Sequence, residues 1–146
     1  ASRMPGLDGE KMSKSYGNYI SLREEPDEVD RKVRRMPTDP KRVRRADPGE
    51  PEDCPVWPLH RIYSDDATQQ WVQEGCRSAG IGCVECKKPL IDAIQAELEP
   101  IRQRAEDHMR NPDLVRTIVS DGAEEAREAA RATLEDVREA MGIKYR

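Results

Sequence analysis

Apolar positions recur at helical spacing over much of the chain. Leu90, Ile94, Leu98, Ile101, Ala105 and Met109 are three or four residues apart and form one stripe of one helix. Pro100 lies within that stripe and predicts a kink or a local break. A second stripe, Leu114, Ile118, Gly122, Ala126, Ala130, Leu134, Val137 and Met141, begins after Asn111-Pro112 and stops before Gly142. Upstream, Pro26 and the acids around it open a helix that runs to about Met36, where Pro37 and Pro40 end it. A short basic helical turn is expected through Arg45, followed by a turn cluster over Asp47-Pro48-Gly49-Glu50-Pro51. Two further helices are predicted, Cys54 to Tyr63 and Asp65 to about Ser78, with Asp65 or Asp66 as N-cap of the second. Gly75, Gly80 and Gly82 make residues 75–86 a compact turn. Ile20-Ser21-Leu22 suits a short extended piece, and no segment reads as a sheet. The expected fold is an all-α helical bundle preceded by a Gly- and Lys-rich loop over residues 1–19.

Composition supports that picture. Apolar residues make up 36%, aromatics 4% with no Phe, and charged residues 37%, as suits long helices with wide solvated faces. Trp57 and Trp71 are expected in the small core, and His60 and His108 in packing or surface roles. No apolar run approaches the roughly 20 residues that span a bilayer, which points to a soluble, cytoplasmic protein without a membrane partner. The net charge of −4 conceals an island of eight basic residues and one acid between Arg31 and Arg45. Such an island suits either a local polyanion contact or a solvated face paired with nearby acids.

Two groups of residues carry candidate chemistry. Lys11-Met12-Ser13-Lys14-Ser15, between Gly9 and Gly17, places two ammonium groups three residues apart on a strip with freedom to hinge. That pattern suits a loop reaching over a polyphosphate, where it would stabilise charge on a departing pyrophosphate. Read from composition alone, such a strip is more often an exposed surface loop. Cys54, Cys76, Cys83 and Cys86 hold every thiol of the chain in the spacing Cys-x21-Cys-x6-Cys-x2-Cys. A four-thiolate metal site is expected, the alternative being small side chains used in packing. One short knuckle, a third cysteine nearby and a remote fourth favour an iron–sulfur cluster; tetrahedral zinc is the alternative. Gly75, Gly80 and Gly82 would let backbone amides approach the sulfurs. Arg77, Lys87 and Lys88 would offset the cluster's charge or meet RNA.

Lys11 to Ser15 matches the KMSKS signature of class I aminoacyl-tRNA synthetases letter for letter. Pro5-Gly6-Leu7-Asp8-Gly9-Glu10 and Tyr16-Gly17-Asn18 resemble its setting in the tryptophanyl and tyrosyl enzymes. Thr38-Asp39-Pro40, Val43-Arg44-Arg45-Ala46-Asp47-Pro48-Gly49, Cys54-Pro55-Val56, Gly75-Cys76-Arg77 and Lys87-Lys88-Pro89-Leu90 resemble the bacterial-type tryptophanyl branch, and the likeness runs through essentially the whole chain in order. The resemblance implies a tryptophan–tRNA ligase using ATP and Mg, with tryptophan and tRNA(Trp) as substrates and a homodimeric parent enzyme. Lys11 and Lys14 would act on the ATP phosphates, with Met12, Ser13 and Ser15 shaping the loop. Some members bind a 4Fe–4S cluster through cysteines of nearly this spacing, in the anticodon-recognising region. Residues 1–22 would then close the nucleotide-binding domain, and residues 23–146 would form the helical anticodon domain. The family's HIGH-type signature and tryptophan pocket are not in these residues, so the chain reads as a fragment expected not to activate tryptophan alone. Rival readings are a stand-alone synthetase-derived RNA-binding module and a redox or metal-sensing protein.

Overall fold

The structure, a computed structural model, describes residues 3–143. Residues 1–2 and 144–146, the outermost parts of the two expected segments, lie outside the described residues. Among the described residues there are five α-helices and no strand, as the all-α expectation required. The chain divides into two compact units, one ending at Gln103 and the other beginning at Arg104.

In the first unit, α1 spans Pro26–Arg35. Proline and two acids, Asp27 and Glu28, fill its first turn, while Lys32, Arg34 and Arg35 fill its last, each sign matched to the helix dipole. Val29 and Val33, four residues apart, are fully buried, and Met36 closes the stripe. After a 3-10 turn at Pro51–Asp53 come α2, Trp57–Tyr63, and α3, Asp66–Arg77. Asp65 caps α3 by accepting a hydrogen bond from the Thr68 amide at 2.8 Å. Residues 41–47 form turns rather than the expected helical turn.

The next helix, α4, spans Cys83–Arg110. It starts within the segment expected as a turn and passes both Pro89 and Pro100 without the break that Pro100 suggested. Energetics explain the continuity. A helix-interior proline costs about 3 kcal/mol, whereas Leu90, Ile91, Ile94 and Leu98 are all buried on α4 and contribute roughly 2 kcal/mol each. These four pack with Val29, Val33, Met36, Val56 and Leu59 into one core. Trp57 is buried and donates its indole N–H to Glu52 at 2.9 Å. Trp71 is 42% exposed, contrary to expectation. Val72 is the residue α3 buries, and its neighbour points about 100° away around the helix.

In the second unit, α5 spans Pro112–Ala140. Asn111 caps it by accepting from the Leu114 amide at 3.2 Å, and Gly142 follows its end at φ +66°. None of its residues is buried. Its apolar stripe, expected to line a bundle core, leaves Ile118, Leu134 and Met141 exposed.

Candidate functional site

The lysine loop is organised around Asn18, which is buried. Its side-chain amide donates to both Asp8 carboxylate oxygens, at 2.8 and 3.0 Å, and to the Lys11 carbonyl at 3.0 Å. Its side-chain oxygen accepts from the Ser13 amide at 2.7 Å. The Asn18 hydrogen bond holds the Asp8 carboxyl below its ordinary range. Gly6 makes this possible: a Cβ there would lie 2.4 Å from the Asn18 side chain. A single β-bridge between Pro5 and Lys11 and a bond from the Met12 amide to the Met4 carbonyl close the base of the loop. Met4 and Leu7 pack against the helical core and anchor that base.

The tip is open. Lys11, Lys14, Ser15, Tyr16 and Gly17 are exposed, Met12 and Ser13 half-buried. Ser13 Oγ accepts from the Ser15 amide at 3.2 Å, and Gly17 turns the chain at φ +68°. Among the described residues, neither lysine ammonium has an ion-pair partner. A rigid base thus carries two free cations at an exposed tip.

The four cysteines behave differently. Cys54, Cys76, Cys83 and Cys86, remote in the chain, line one cavity together with Thr38, Asp39, Arg42, Val56 and Lys87. All four are free thiols and partly buried. Because α4 begins at Cys83, two of them share its first turn. The cavity is about 20 Å3, roughly the room of one water, and among the described residues no three ligating groups are placed to hold a single metal ion. Any group larger than one ion needs the thiol side chains to rotate outward. Burial pushes the Cys86 thiol up to about 12 and raises Cys76 as well, with neighbouring thiols adding and Arg42 opposing at Cys76.

Two buried cations border this cavity. The Arg42 guanidinium donates to the Arg45 carbonyl at 3.0 Å and to the Ile81 carbonyl, and lies 4.0 Å from Cys76 Sγ. Its Nε is buried without a hydrogen-bond partner. Lys87 donates to the Arg34 and Met36 carbonyls at 2.8 and 2.7 Å, so its ammonium caps the C-terminal end of α1. Burial lowers its pKa, opposed by the cysteines.

Asp39 builds the cavity wall, accepting from the Lys41 and Glu50 amides at 2.8 and 2.9 Å. These two bonds hold its carboxyl below the ordinary range. Gly49 completes the wall. A Cβ there would come within 2.9 Å of Cys76 Sγ, so only the smallest residue leaves room for that thiol. The glycines expected to serve the sulfurs serve other partners: the Gly80 amide donates to Ser78 and the Gly82 amide to Glu85, while Gly75 faces Ile81. His60 is fully buried, with Nε2 3.5 Å from Cys86 Sγ and Nδ1 2.8 Å from Ser64 Oγ. Burial lowers its pKa to about 4, so the imidazole is neutral near pH 7.

Of the three cations expected to meet RNA, Lys87 is buried; Arg77 and Lys88 are exposed and pair with Glu50 and Asp92. The basic island is largely paired: Arg31 with Glu28, Lys32 with Glu24, Arg34 with Asp30, Lys41 with Asp53 and Arg45 with Glu85. Arg42, Gly49, Asp39 and Asn18 are the site residues whose roles the sequence did not single out. Arg42 was one of eight similar cations and Gly49 one of several turn residues, and neither carries a local signal of what it faces.

The model for tRNA synthetases class I (W and Y) matches residues 2–99, and the chain belongs to that family. It is 59% identical over 145 residues to the tryptophan–tRNA ligase of Ralstonia nicotianae, covering 99% of this chain and 36% of that protein. To the tryptophan–tRNA ligase of Thermotoga maritima it is 44% identical over 144 residues, covering 98% and 44%. The crystal structure of tryptophanyl-tRNA synthetase from Campylobacter jejuni complexed with ADP and tryptophan superposes with a TM-score of 0.83 at 25% identity, covering 97% of this chain and 44% of that one. The chain spans less than half the length of these relatives and is homologous to the C-terminal region of tryptophan–tRNA ligase. No helix among the described residues is long and apolar enough to cross a membrane.

Proposed function

We propose that this chain serves as the C-terminal part of a cytoplasmic, homodimeric tryptophan–tRNA ligase, supplying the ATP-phosphate loop and a surface for tRNA(Trp). The observation that carries the reading is the exposed Lys11–Ser15 tip on its Asn18-pinned base. In amino-acid activation the tryptophan carboxylate attacks the α-phosphorus of ATP; the bond to the bridging oxygen breaks, and pyrophosphate leaves with the electron pair. Negative charge then grows on the leaving group, and Lys11 and Lys14 follow it with two mobile ammonium groups. Mg supplies further charge on the phosphates. Residues 1–22 act with the nucleotide-binding domain, and residues 23–146 form the anticodon domain, where exposed Arg77 and Lys88 are the RNA contacts.

The four cysteines hold a 4Fe–4S cluster in this reading. The donor set supports it: sulfur alone, four thiols around one cavity, and two buried cations beside a group that carries net negative charge when ligated. The unpartnered Arg42 Nε–H and the space kept by Gly49 suit an anionic, sulfur-rich occupant. A cluster held by Cys54, Cys76, Cys83 and Cys86 would cross-link the start of α4, the end of α3 and the residue that follows the 3-10 turn. Zinc shares the thiol chemistry and is separated by metal analysis: iron and sulfide with absorbance near 400 nm support the cluster, whereas stoichiometric zinc in a colourless protein rejects it.

The enzymatic reading is tested in the complete synthetase. Replacing Lys11 and Lys14 together with alanine is expected to slow adenylate formation about a thousandfold, roughly 4 kcal/mol of transition-state stabilisation. An unchanged rate rejects the role given to the loop.

A further inference from the structure

A cleft of about 310 Å3 lies between the lysine loop and α1, within the roughly 300–1,000 Å3 of clefts that take ligands. Leu7 and Met36 form its floor, backed by the helical core. Tyr16 stands on the loop side and is 79% exposed. On the α1 side, Arg31 and Arg35 are one helical turn apart and share a face, with Lys32 beside them. Against these three cations stands one carboxylate, Asp8, whose two oxygens already accept from Asn18.

The cations differ in how firmly they are held. Lys32 is half-buried, pairs with Glu24 and lies 5.2 Å from the centroid of the Tyr19 ring, so it belongs to the fold. Arg31 donates from Nε to Glu28, one turn back on its own helix, at 2.8 Å, a solvated pair that salt weakens readily. Arg35 is exposed and has no hydrogen-bond or ion-pair partner among the described residues. The end of α1 does not require it, because the buried Lys87 ammonium already meets the Arg34 and Met36 carbonyls. Available guanidinium groups facing an exposed aromatic ring suit a nucleic-acid strand, whose phosphates meet the charges while a base meets the ring.

We propose that this cleft holds the strand at the acceptor end of the tRNA, with Arg31 and Arg35 on its phosphates and Tyr16 stacked on a base. The inference rests on the ligase reading above and adds an RNA contact separate from Arg77 and Lys88. In that reaction tryptophan passes from the adenylate to the terminal ribose of the tRNA, so a strand has to reach the place where the lysine loop works. Tyr16 follows Lys14 by two residues, and the α1 cations extend the positive charge of the loop along the path of a polyanion.

The test uses the complete synthetase. Replacing Arg31 and Arg35 together with glutamine should raise the KM for tRNA(Trp) about tenfold and leave ATP–pyrophosphate exchange at its wild-type rate. The slope of log KM against log salt should fall by about 1.4, since each single-strand phosphate contact contributes about 0.7. Arg35→Lys keeps the charge and should stay close to wild type. Tyr16→Ala should raise the same KM about tenfold, whereas Tyr16→Phe, which keeps the ring, should not. A wild-type KM for tRNA in the paired arginine variant overturns the inference, and so does an unchanged salt slope, which is what a merely structural role would give. Pyrophosphate is the competing occupant: a raised KM for pyrophosphate with an unaltered KM for tRNA assigns the cleft to the leaving group and also overturns it. A wild-type enzyme that leaves tRNA(Trp) uncharged rejects the ligase reading itself.

Discussion

The lysine loop and the cysteine cavity place functional groups in opposite ways. At the loop, five consecutive residues present the chemistry, the ammonium groups are free in solvent, and folding is spent on the base beneath them. At the cavity, four residues spread over 33 positions are gathered from the residue after the 3-10 turn, α3 and α4, and the cations beside them are buried. The loop is therefore tunable without harm to the fold, whereas the cavity is part of what holds the fold together. A charge in solvent costs little to keep, while a buried one must be met by carbonyls, sulfur or a counter-ion.

That contrast can be broken by comparing rate with stability. The paired lysine variant should show the largest effect on rate, about a thousandfold, with unfolding stability within about 0.5 kcal/mol of wild type because both side chains are exposed. A denaturant midpoint that moves substantially would mean the tip is structural after all. Lys87→Met should do the opposite, costing about 3 kcal/mol in denaturant unfolding, since it leaves two carbonyls at the end of α1 without their buried donor. A neutral outcome would place Lys87 in solvent and remove the cap.

Asp39→Ala should cost about 2 kcal/mol, because two backbone amides lose their acceptor. The same carboxylate predicts acid lability. Its folded pKa is lowered from 3.8 by those amides, so its contribution is complete above that value and is lost as the pH falls through it and below. Wild type should therefore lose more stability on acidification than Asp39→Ala, and parallel unfolding curves would refute the assignment. Asn18→Ala sharpens the comparison within the loop, with about 1 kcal/mol lost locally and faster amide exchange at Ser13. The smallest effect is expected on α5, where Ile118→Ala should stay within about 0.5 kcal/mol.

Several features were readable in advance because their causes are local. Pro26 and its neighbouring acids start α1, Asp65 caps α3, Asn111-Pro112 opens α5, and Gly142 ends it at positive φ. The local break that Pro100 allowed does not occur, because a proline's cost is local while the burial that offsets it comes from the core that α4 shares with α1 and α2. Trp71 misled because aromatic character signals a preference for burial but not which way a helix is rotated. The core itself was only half visible, since the stripe of α4 finds partners and that of α5 is exposed although the two look alike on paper.

The amino-acid order thus determined the helices, the lysine strip and the concentration of thiols, all properties of residues near one another in the chain. Tertiary structure alone decided that the four sulfurs share one cavity, that Lys87 caps α1 instead of facing solvent, and that Arg42, Gly49 and His60 border the thiols. These depend on segments separated by tens of residues, and only the packing together of α1, α2, α3, α4 and the loop leading into the 3-10 turn brings such groups close.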